Sequence, residues 1–190
     1  IKPDGYLISA AQDPEVATIL LDTARKQSAK YAFEGVEFGV VERDRAVGGQ
    51  LLTLRGLAGE YPDIELPLHG EHQGQNASLA LAAVEAFFGG DRALARDVVL
   101  AGFAQVRSPG RLEMIRSEPL VVLDAAHNPH GVRAASTAFK EAFELSHVHA
   151  VVGILGEKDA LGIFEVLREE YVDSTDATFR LYLSASDSSR

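Results

Sequence analysis

The sequence contains no cysteine among its 190 residues. Disulfide bonds, a thiolate nucleophile, and zinc or iron–sulfur sites with sulfur ligands are therefore excluded. No apolar run approaches the roughly 18 residues that a membrane span needs, and the amino terminus lacks the charged segment and apolar core of a signal peptide. These absences predict a protein of the cytoplasm with no membrane partner.

Basic residues are also few. The sequence has 18 Lys and Arg and 28 Asp and Glu, which gives a net charge of −10. Nucleic-acid phosphates attract basic faces, so nucleic acid is not expected as the main partner. Hydrophobic residues make up 46% and charged residues 24%, which is typical of folded globular proteins. The length allows one sizeable domain or two small ones.

Two further absences concern the start of the chain and its chemistry. The chain begins at Ile1 without an initiator methionine, and we expect a piece cut from a longer protein. It also lacks the G-x-x-x-x-G-K-[ST] loop that cradles nucleotide phosphates. A self-sufficient nucleotide-hydrolysing enzyme is therefore not expected from this chain alone.

Residues 1–106 predict a mixture of strands and helices. A strand is expected at 5–9, followed by a helix that begins at Asp13-Pro14 and ends near residue 28. Alternating and helical spacings predict the rest of the region: FGVVE, GGQLLTLRGL and IELPL as strands, ASLALAAVEAFF as a helix with Leu79, Ala83 and Phe87 buried, and a short helix within 91–104 with Leu94, Val98 and Phe103 inward.

The Ser-Pro-Gly sequence at 108–110 is a strong break, and we place a domain junction between residues 106 and 107. From 107 to 190, strands alternate with helices: LVVLD, HGVRAASTAFKEAF, HAVVGIL, ALGIFEVLREEY and ATFRLYLSAS. This order predicts an α/β domain with a parallel sheet and helical crossovers.

The segment LDAAHNPHG, residues 123–131, follows a strand that is expected to be buried. Ligands bind outside the carboxyl ends of strands in open α/β sheets, so Asp124 and His127 are candidate site residues. A buried strand end seldom keeps a carboxylate without a partner, which favours a functional role. Asn128 before Pro129 is equally typical of a simple helix N-cap.

Other polar residues each allow a functional and an ordinary interpretation. Arg111 can bind phosphate or carboxylate through its planar guanidinium, or it can be a surface residue of a linker. Asn76 can bind a ligand, or it can cap the alanine-rich helix. Lys158 and Asp159 lie at a strand end, where an exposed ion pair is the ordinary alternative. No spacing such as H-E-x-x-H occurs, so no metal ligand is assigned.

The order of these motifs is more specific than any one of them. G-E-H-Q-G-Q-N, S-P-G-R-L-E, L-D-A-A-H-N-P-H-G and G-I-L-G-E-K-D follow one another along the chain. This succession closely resembles the folylpolyglutamate synthase / dihydrofolate synthase family of the Mur ligase superfamily. The resemblance implies that 1–106 form the last part of a central ATPase domain. It also implies that 107–190 begin a truncated Rossmann-like C-terminal domain, with ATP in the cleft between the domains.

The resemblance also implies roles for individual residues. Asn76 and Asp124 would bind the nucleotide, Arg111 would contact the ATP phosphates, and His127 would be the catalytic residue that orients the phosphate or the incoming glutamate. The His and Gln of the H-Q-x-x-N motif belong to the same site, with less certain roles.

Substrate binding is implied for Lys158 and Asp159, although Glu157 stands where the family usually has aspartate. Ser188 and Ser189 fall where the family often has S-P-R. Because the proline is absent here, a substrate role for either serine is not expected.

The implied reaction is the ATP-dependent formation of an amide. ATP would phosphorylate a carboxylate of dihydropteroate or of a folate glutamate tail, and the amine of L-glutamate would attack the acyl phosphate. Mg²⁺ is implied as a cofactor, with its ligands mainly in an upstream part that this chain lacks. The parent enzyme is expected to be monomeric, and the isolated chain to be inactive.

Two alternatives remain open. The first is another Mur-type ligase, which would add amino acids to peptidoglycan precursors. The second is a non-catalytic α/β binding module, in which the candidate residues are only helix caps, a linker arginine and charged residues of turns. The H-Q-x-x-N and D-A-A-H-N-P stretches favour the folate branch. They do not distinguish dihydrofolate synthesis from polyglutamate synthesis, or from both.

Overall fold

The computed structural model describes residues 1–144, 146–173 and 178–184. The chain forms two compact units, Ile1–Arg107 and Ser108–Arg190, and this boundary lies one residue beyond the junction placed at the Ser-Pro-Gly break. Both units combine strands with helices, as the predicted α/β class requires.

The first unit contains two sheets. The strand β1 (Tyr6–Ser9), the helix α1 (Pro14–Lys26) and the strand β2 (Lys30–Phe33) form a parallel pair with a helical crossover. An antiparallel sheet follows, in which β3 (Gly39–Ala46), β4 (Gly49–Arg55) and β5 (Glu60–Leu66) pair in chain order. The helices α2 (Glu71–Phe87) and α3 (Arg96–Ala104) complete the unit.

The helix α2 is central to this unit, because its buried residues reach both sheets. Ala77 and Leu81 pack against side chains of β4 and β5. Ala82 packs against Ala32 of β2 and against Phe38. The burial of these small and apolar residues fixes the helix that carries the H-Q-x-x-N motif.

The predicted inward faces of α2 and α3 are partly wrong. Leu79 is partly buried, but Ala83 is exposed and Phe87 is 83% exposed. In α3, Val98 is exposed, and its neighbour Val99 packs into the core instead. Leu94 and Phe103 pack against the same core as predicted, so the prediction is wrong only at Ala83, Phe87 and Val98.

A buried carboxylate joins α2 to loops of the same unit. The side chain of Glu85 has no exposed surface. It accepts hydrogen bonds from the Tyr61 hydroxyl at 2.6 Å, from the Leu57 N–H and from the Ala58 N–H at 3.4 Å. The Tyr61 oxygen in turn accepts the Leu94 N–H at 2.8 Å. Burial, with the hydrogen bond to Glu85, raises the pKa of Tyr61 to about 12.

The second unit begins with an antiparallel hairpin of β6 (Glu113–Ser117) and β7 (Leu120–Leu123). The elements α4 (Pro129–Ala142), β8 (His147–Gly153), α5 (Ala160–Tyr171) and β9 (Thr178–Ser184) follow, in the predicted alternation. β8 and β9 pair in parallel, with α5 as their crossover. Within the described residues the parallel arrangement extends no further, because β7 pairs with β6, a strand that was not predicted.

Apolar packing and ion pairs hold α4 and α5 together. Val132 and Ile163 belong to one buried cluster. Arg133 pairs with Glu170 at 3.1 Å, and Lys140 pairs with the same carboxylate. These contacts fix the relative position of the two helices, and therefore of the loops that precede them. None of the helices in the described part of the chain has the length and apolar character needed to cross a membrane.

Candidate functional site

The Arg111 loop, residues 108–112, is hydrogen-bonded to the segment that follows β7. The Leu112 N–H donates to Asp124 Oδ2 at 3.0 Å, and the Ala125 N–H donates to the Gly110 carbonyl at 2.7 Å. The structure therefore brings Arg111 and Asp124, two of the predicted site residues, onto neighbouring segments of the same unit.

Asp124 is exposed at the end of a partly buried strand, so the expectation of a buried carboxylate is wrong. Its partners are main-chain groups: Oδ2 accepts from Leu112, and Oδ1 accepts the Ala126 N–H at 2.7 Å. Each carboxylate oxygen has a further lone pair, so the side chain can still accept a hydrogen bond from a ligand hydroxyl. Asp124 thus orders the Arg111 loop and keeps acceptor capacity for a ligand.

His127 is exposed, and its Nδ1 lies 3.1 Å from the Ala125 carbonyl oxygen. A carbonyl oxygen only accepts hydrogen bonds, so this contact requires the proton on Nδ1. Nε2 is then an acceptor in the neutral ring and a donor in the imidazolium ion. Nε2 is therefore the atom through which His127 can act on a substrate.

Two candidate residues cap the helices that follow them. Asn128 Oδ1 accepts the Gly131 N–H at 2.8 Å, so its ordinary interpretation as the N-cap of α4 is confirmed. Asp159 Oδ1 accepts the Gly162 N–H at 2.9 Å and caps α5 in the same way. A Cβ on Gly162 would lie 2.8 Å from Pro129 Cγ, which places the starts of α4 and α5 side by side.

This arrangement puts two predicted loops on one edge of the second unit. Lys158 is exposed and directly precedes the cap of α5, and His127 precedes the cap of α4. Because the helix starts are in contact, the loops that carry these side chains are neighbours. The edge offers an imidazole, an ammonium group and helix N-termini, which together suit an anionic ligand.

Replacing Gly162 with alanine should destabilise the second unit and displace the loop before α4. The new Cβ would lie 2.4 Å from Asp159 Oδ2 and 2.8 Å from Pro129 Cγ, and overpacking of this kind costs about 1–3 kcal/mol. We expect a lower midpoint in thermal denaturation. Gly153→Ala is the matched control, because a Cβ at that position meets no atom within 4 Å. Equal midpoints for the two variants would contradict the close helix contact.

Asn76 lies in the second turn of α2, because the helix begins at Glu71, and the capping alternative is therefore wrong for this residue. Its Nδ2 donates to Gln73 Oε1 at 3.2 Å, and Gln73 Nε2 lies 3.1 Å from His72 Nε2. The H-Q-x-x-N motif is thus one hydrogen-bonded row at the start of a helix. Gln73 is buried within it, and Asn76 is exposed.

Gln50 of β4 holds the loop that leads into this row. Its Nε2 donates to the carbonyls of Leu68 and Gly70, both at 3.0 Å, and its Oε1 accepts from Arg43 Nε at 2.6 Å. The side chain is only 2% exposed. The sequence did not mark Gln50, because its partners are carbonyl groups 18 and 20 positions away that no motif reveals.

The predicted site residues are divided between the two units. Asn76 belongs to the first unit, and the second contains Arg111, Asp124, His127, Lys158 and Asp159. Ser188 and Ser189 lie outside the described residues. Among the residues that the structure does describe, no group of three or more His, Asp or Glu side chains is placed to hold a metal ion.

Comparison with known proteins assigns this arrangement to a family. Residues 110–181 match the family described as Mur ligase, glutamate ligase domain. The chain is also 49% identical, over 93% of its length, to dihydrofolate synthase/folylpolyglutamate synthase of Mycobacterium tuberculosis. The chain belongs to the folylpolyglutamate synthase / dihydrofolate synthase family of Mur ligases.

The similarity extends to another synthase of this family in sequence and to a solved structure in fold. Folylpolyglutamate synthase of Lacticaseibacillus casei is 32% identical over 73% of the chain. A crystal structure of the Mycobacterium tuberculosis synthase complexed with ADP and AMPPCP matches 88% of this chain and 37% of that one, with a TM-score of 0.83 and 49% identity. The chain spans 37% and 34% of the length of the two curated relatives. The predicted α/β fold class is confirmed by this structural match.

Proposed function

We propose that the complete protein is an ATP-dependent ligase that adds L-glutamate to dihydropteroate, to the glutamate tail of a folate, or to both. The observation that carries the proposal is the direct hydrogen bonding of the Arg111 loop to Asp124 and Ala125, two residues before His127. This arrangement supports the proposal that Arg111 binds phosphate, Asp124 accepts from a ligand hydroxyl and His127 supplies an imidazole. The family membership supports ATP-dependent ligation of glutamate to a folate as the reaction.

The first step is phosphoryl transfer from ATP to a substrate carboxylate, which gives an acyl phosphate and ADP. A carboxylate is a poor electrophile, whereas the acyl phosphate carries phosphate as a leaving group. The uncharged amine of glutamate then attacks the acyl carbon, an amide bond forms, and inorganic phosphate leaves. Exclusion of water protects the acyl phosphate from hydrolysis during these steps.

The residues of this chain would bind and orient the reactants. The Arg111 guanidinium suits two phosphate oxygens at once. Asp124 and Asn76 would hold the nucleotide through its hydroxyl and amine groups. His127 Nε2 would face the transferred phosphate or the amine of glutamate, and Lys158 with Asp159 would bind substrate at the start of α5.

Mg²⁺ would neutralise the ATP phosphates, but the described residues offer no cluster that fits the ion. Its ligands are therefore proposed to lie in another part of the complete protein, as is the phosphate loop that these 190 residues lack. We also propose that the complete protein acts as a cytoplasmic monomer.

The proposal is tested by assaying the complete protein with ATP and glutamate, and with either dihydropteroate or tetrahydrofolate. We expect ADP release that requires both glutamate and a folate substrate. The 190-residue chain alone is expected to give no product, because it lacks the phosphate loop. Product formation by the purified chain would overturn that expectation, and a complete protein inactive with both substrates would overturn the assigned reaction.

A further inference from the structure

The Arg111 loop has a backbone conformation that ordinary residues avoid. Gly110 has φ +70°, and Leu112 has φ +46°. Glycine accepts a positive φ, but leucine rarely does, because its Cβ crowds the backbone in the left-handed region. Leu112 is also only 7% exposed. A loop of this kind persists only when its surroundings hold it in place.

Two carboxylates hold the loop, one on each side of Arg111. Glu113 Oε2 accepts the Gly110 N–H at 2.9 Å, and Asp124 Oδ2 accepts the Leu112 N–H at 3.0 Å. Hydrogen bonds to ionised acceptors are stronger than those between neutral groups. The two residues that flank Arg111 are thus both fixed through their N–H groups.

We propose that Glu113 is a positioning residue that sets the direction of the Arg111 side chain toward the nucleotide phosphates. This inference rests on the proposed function, because it takes ATP as the ligand of Arg111. Glu113 itself is unsuited to bind a triphosphate, since a carboxylate repels phosphate. Its carboxylate instead accepts the main-chain N–H of Gly110. Glu113 can therefore position the loop beside a phosphate site without binding the phosphate itself.

The conformation of the Arg111 loop determines what fraction of the protein molecules can bind ATP at any moment. When a loop is competent for only a fraction of the time, the apparent affinity falls by that fraction. Loss of the Glu113 contact would leave Gly110 held only through its carbonyl, which accepts the Ala125 N–H, so the positive φ would be less firmly fixed and Arg111 would sample more directions. The affinity for ATP would suffer more than the rate of the later acyl transfer.

The test uses the complete protein and three variants of the loop. Glu113→Ala removes the acceptor, Glu113→Gln keeps an acceptor oxygen, and Gly110→Ala opposes the positive φ without removing a charge. Glu165→Ala is the matched control, because Glu165 is an exposed acid on α5 of the same unit. The readouts are KM for ATP, kcat, and hydrogen exchange of the Gly110 and Leu112 amides.

We expect Glu113→Ala and Gly110→Ala to raise KM for ATP about tenfold, with kcat within about twofold, since a hydrogen bond to a charged group has an effect of this order. Both variants should speed amide exchange in the loop, and Glu113→Gln should behave much like the wild type. Faster exchange with an unchanged KM would overturn the positioning role, as would equal losses in Glu113→Gln and Glu113→Ala. If the wild type shows no ATP-dependent ligation, the proposed function fails, whatever the exchange of the loop.

Discussion

Replacing His127 with alanine should lower the rate of glutamate ligation by the complete protein about a hundredfold or more, with little change in stability. The ring is exposed, and the hydrogen bond that the structure gives it runs from Nδ1 to the Ala125 carbonyl. Few folded-state contacts are therefore lost on truncation. What is lost is Nε2, the atom that we propose to face the reacting groups, and a positioned proton donor or acceptor contributes about 10²–10⁴-fold to a rate.

The expected loss is measured as kcat at saturating ATP, folate substrate and glutamate, with thermal denaturation to verify folding. His130→Ala is the matched control, because His130 is also exposed and lies in the first turn of α4, three residues after His127. We expect the control to keep its turnover. Normal turnover in His127→Ala would show that the imidazole has no part in the reaction.

Replacing Glu85 with alanine should destabilise the first unit by about 3–5 kcal/mol, since loss of one partner of a buried charged network leaves the others unsatisfied. The Tyr61 hydroxyl and the Leu57 N–H would both lose their acceptor in the interior. In the wild type the Glu85 carboxylate packs closely against Gly56, where an added Cβ would lie 2.2 Å from Glu85 Oε2. Truncation to alanine would leave a cavity there, which adds to the loss.

Denaturant unfolding measures the loss of stability, and hydrogen exchange of the amides in the first unit shows whether the loss lies there. Glu60→Ala is the matched control, because Glu60 is an exposed acid on β5. The Tyr61 contact should also weaken at high pH. Its pKa is raised from 10.0 to about 12, so the stability it contributes is complete below pH 10 and is lost as the pH rises through about 12. Similar unfolding midpoints for Glu85→Ala and Glu60→Ala would refute the role of the buried carboxylate.

The order of elements in the second unit could be predicted, because apolar strands and amphipathic helices alternate there with clear breaks. The start of α2 could not. Its first turn buries Gln73 and Gly74, which carry no hydrophobic signal, so the helix was predicted to begin only at Ala77. The partner of β7 was also missed, since EMIRS at 113–117 is exposed along its whole length.

Motifs indicated candidate site residues, but not what each of them contacts. Asp124 was expected to be buried and is exposed, and Asp159 is a helix cap rather than half of a turn ion pair. Gln50 and Glu113 received no role, although both hold loops that carry site residues. They hold these loops through main-chain groups, whose positions depend on the fold and leave no trace in residue type.

Ala125 is a point at which the chemistry of this edge can be redesigned. It joins the Arg111 loop through its main-chain N–H, which every residue type except proline supplies, while its methyl group is exposed. A serine or asparagine there would introduce a new polar group two positions from His127 and keep the bond to Gly110. Every residue type except proline at position 125 would therefore keep the main-chain donor whose hydrogen bond Gly110 accepts.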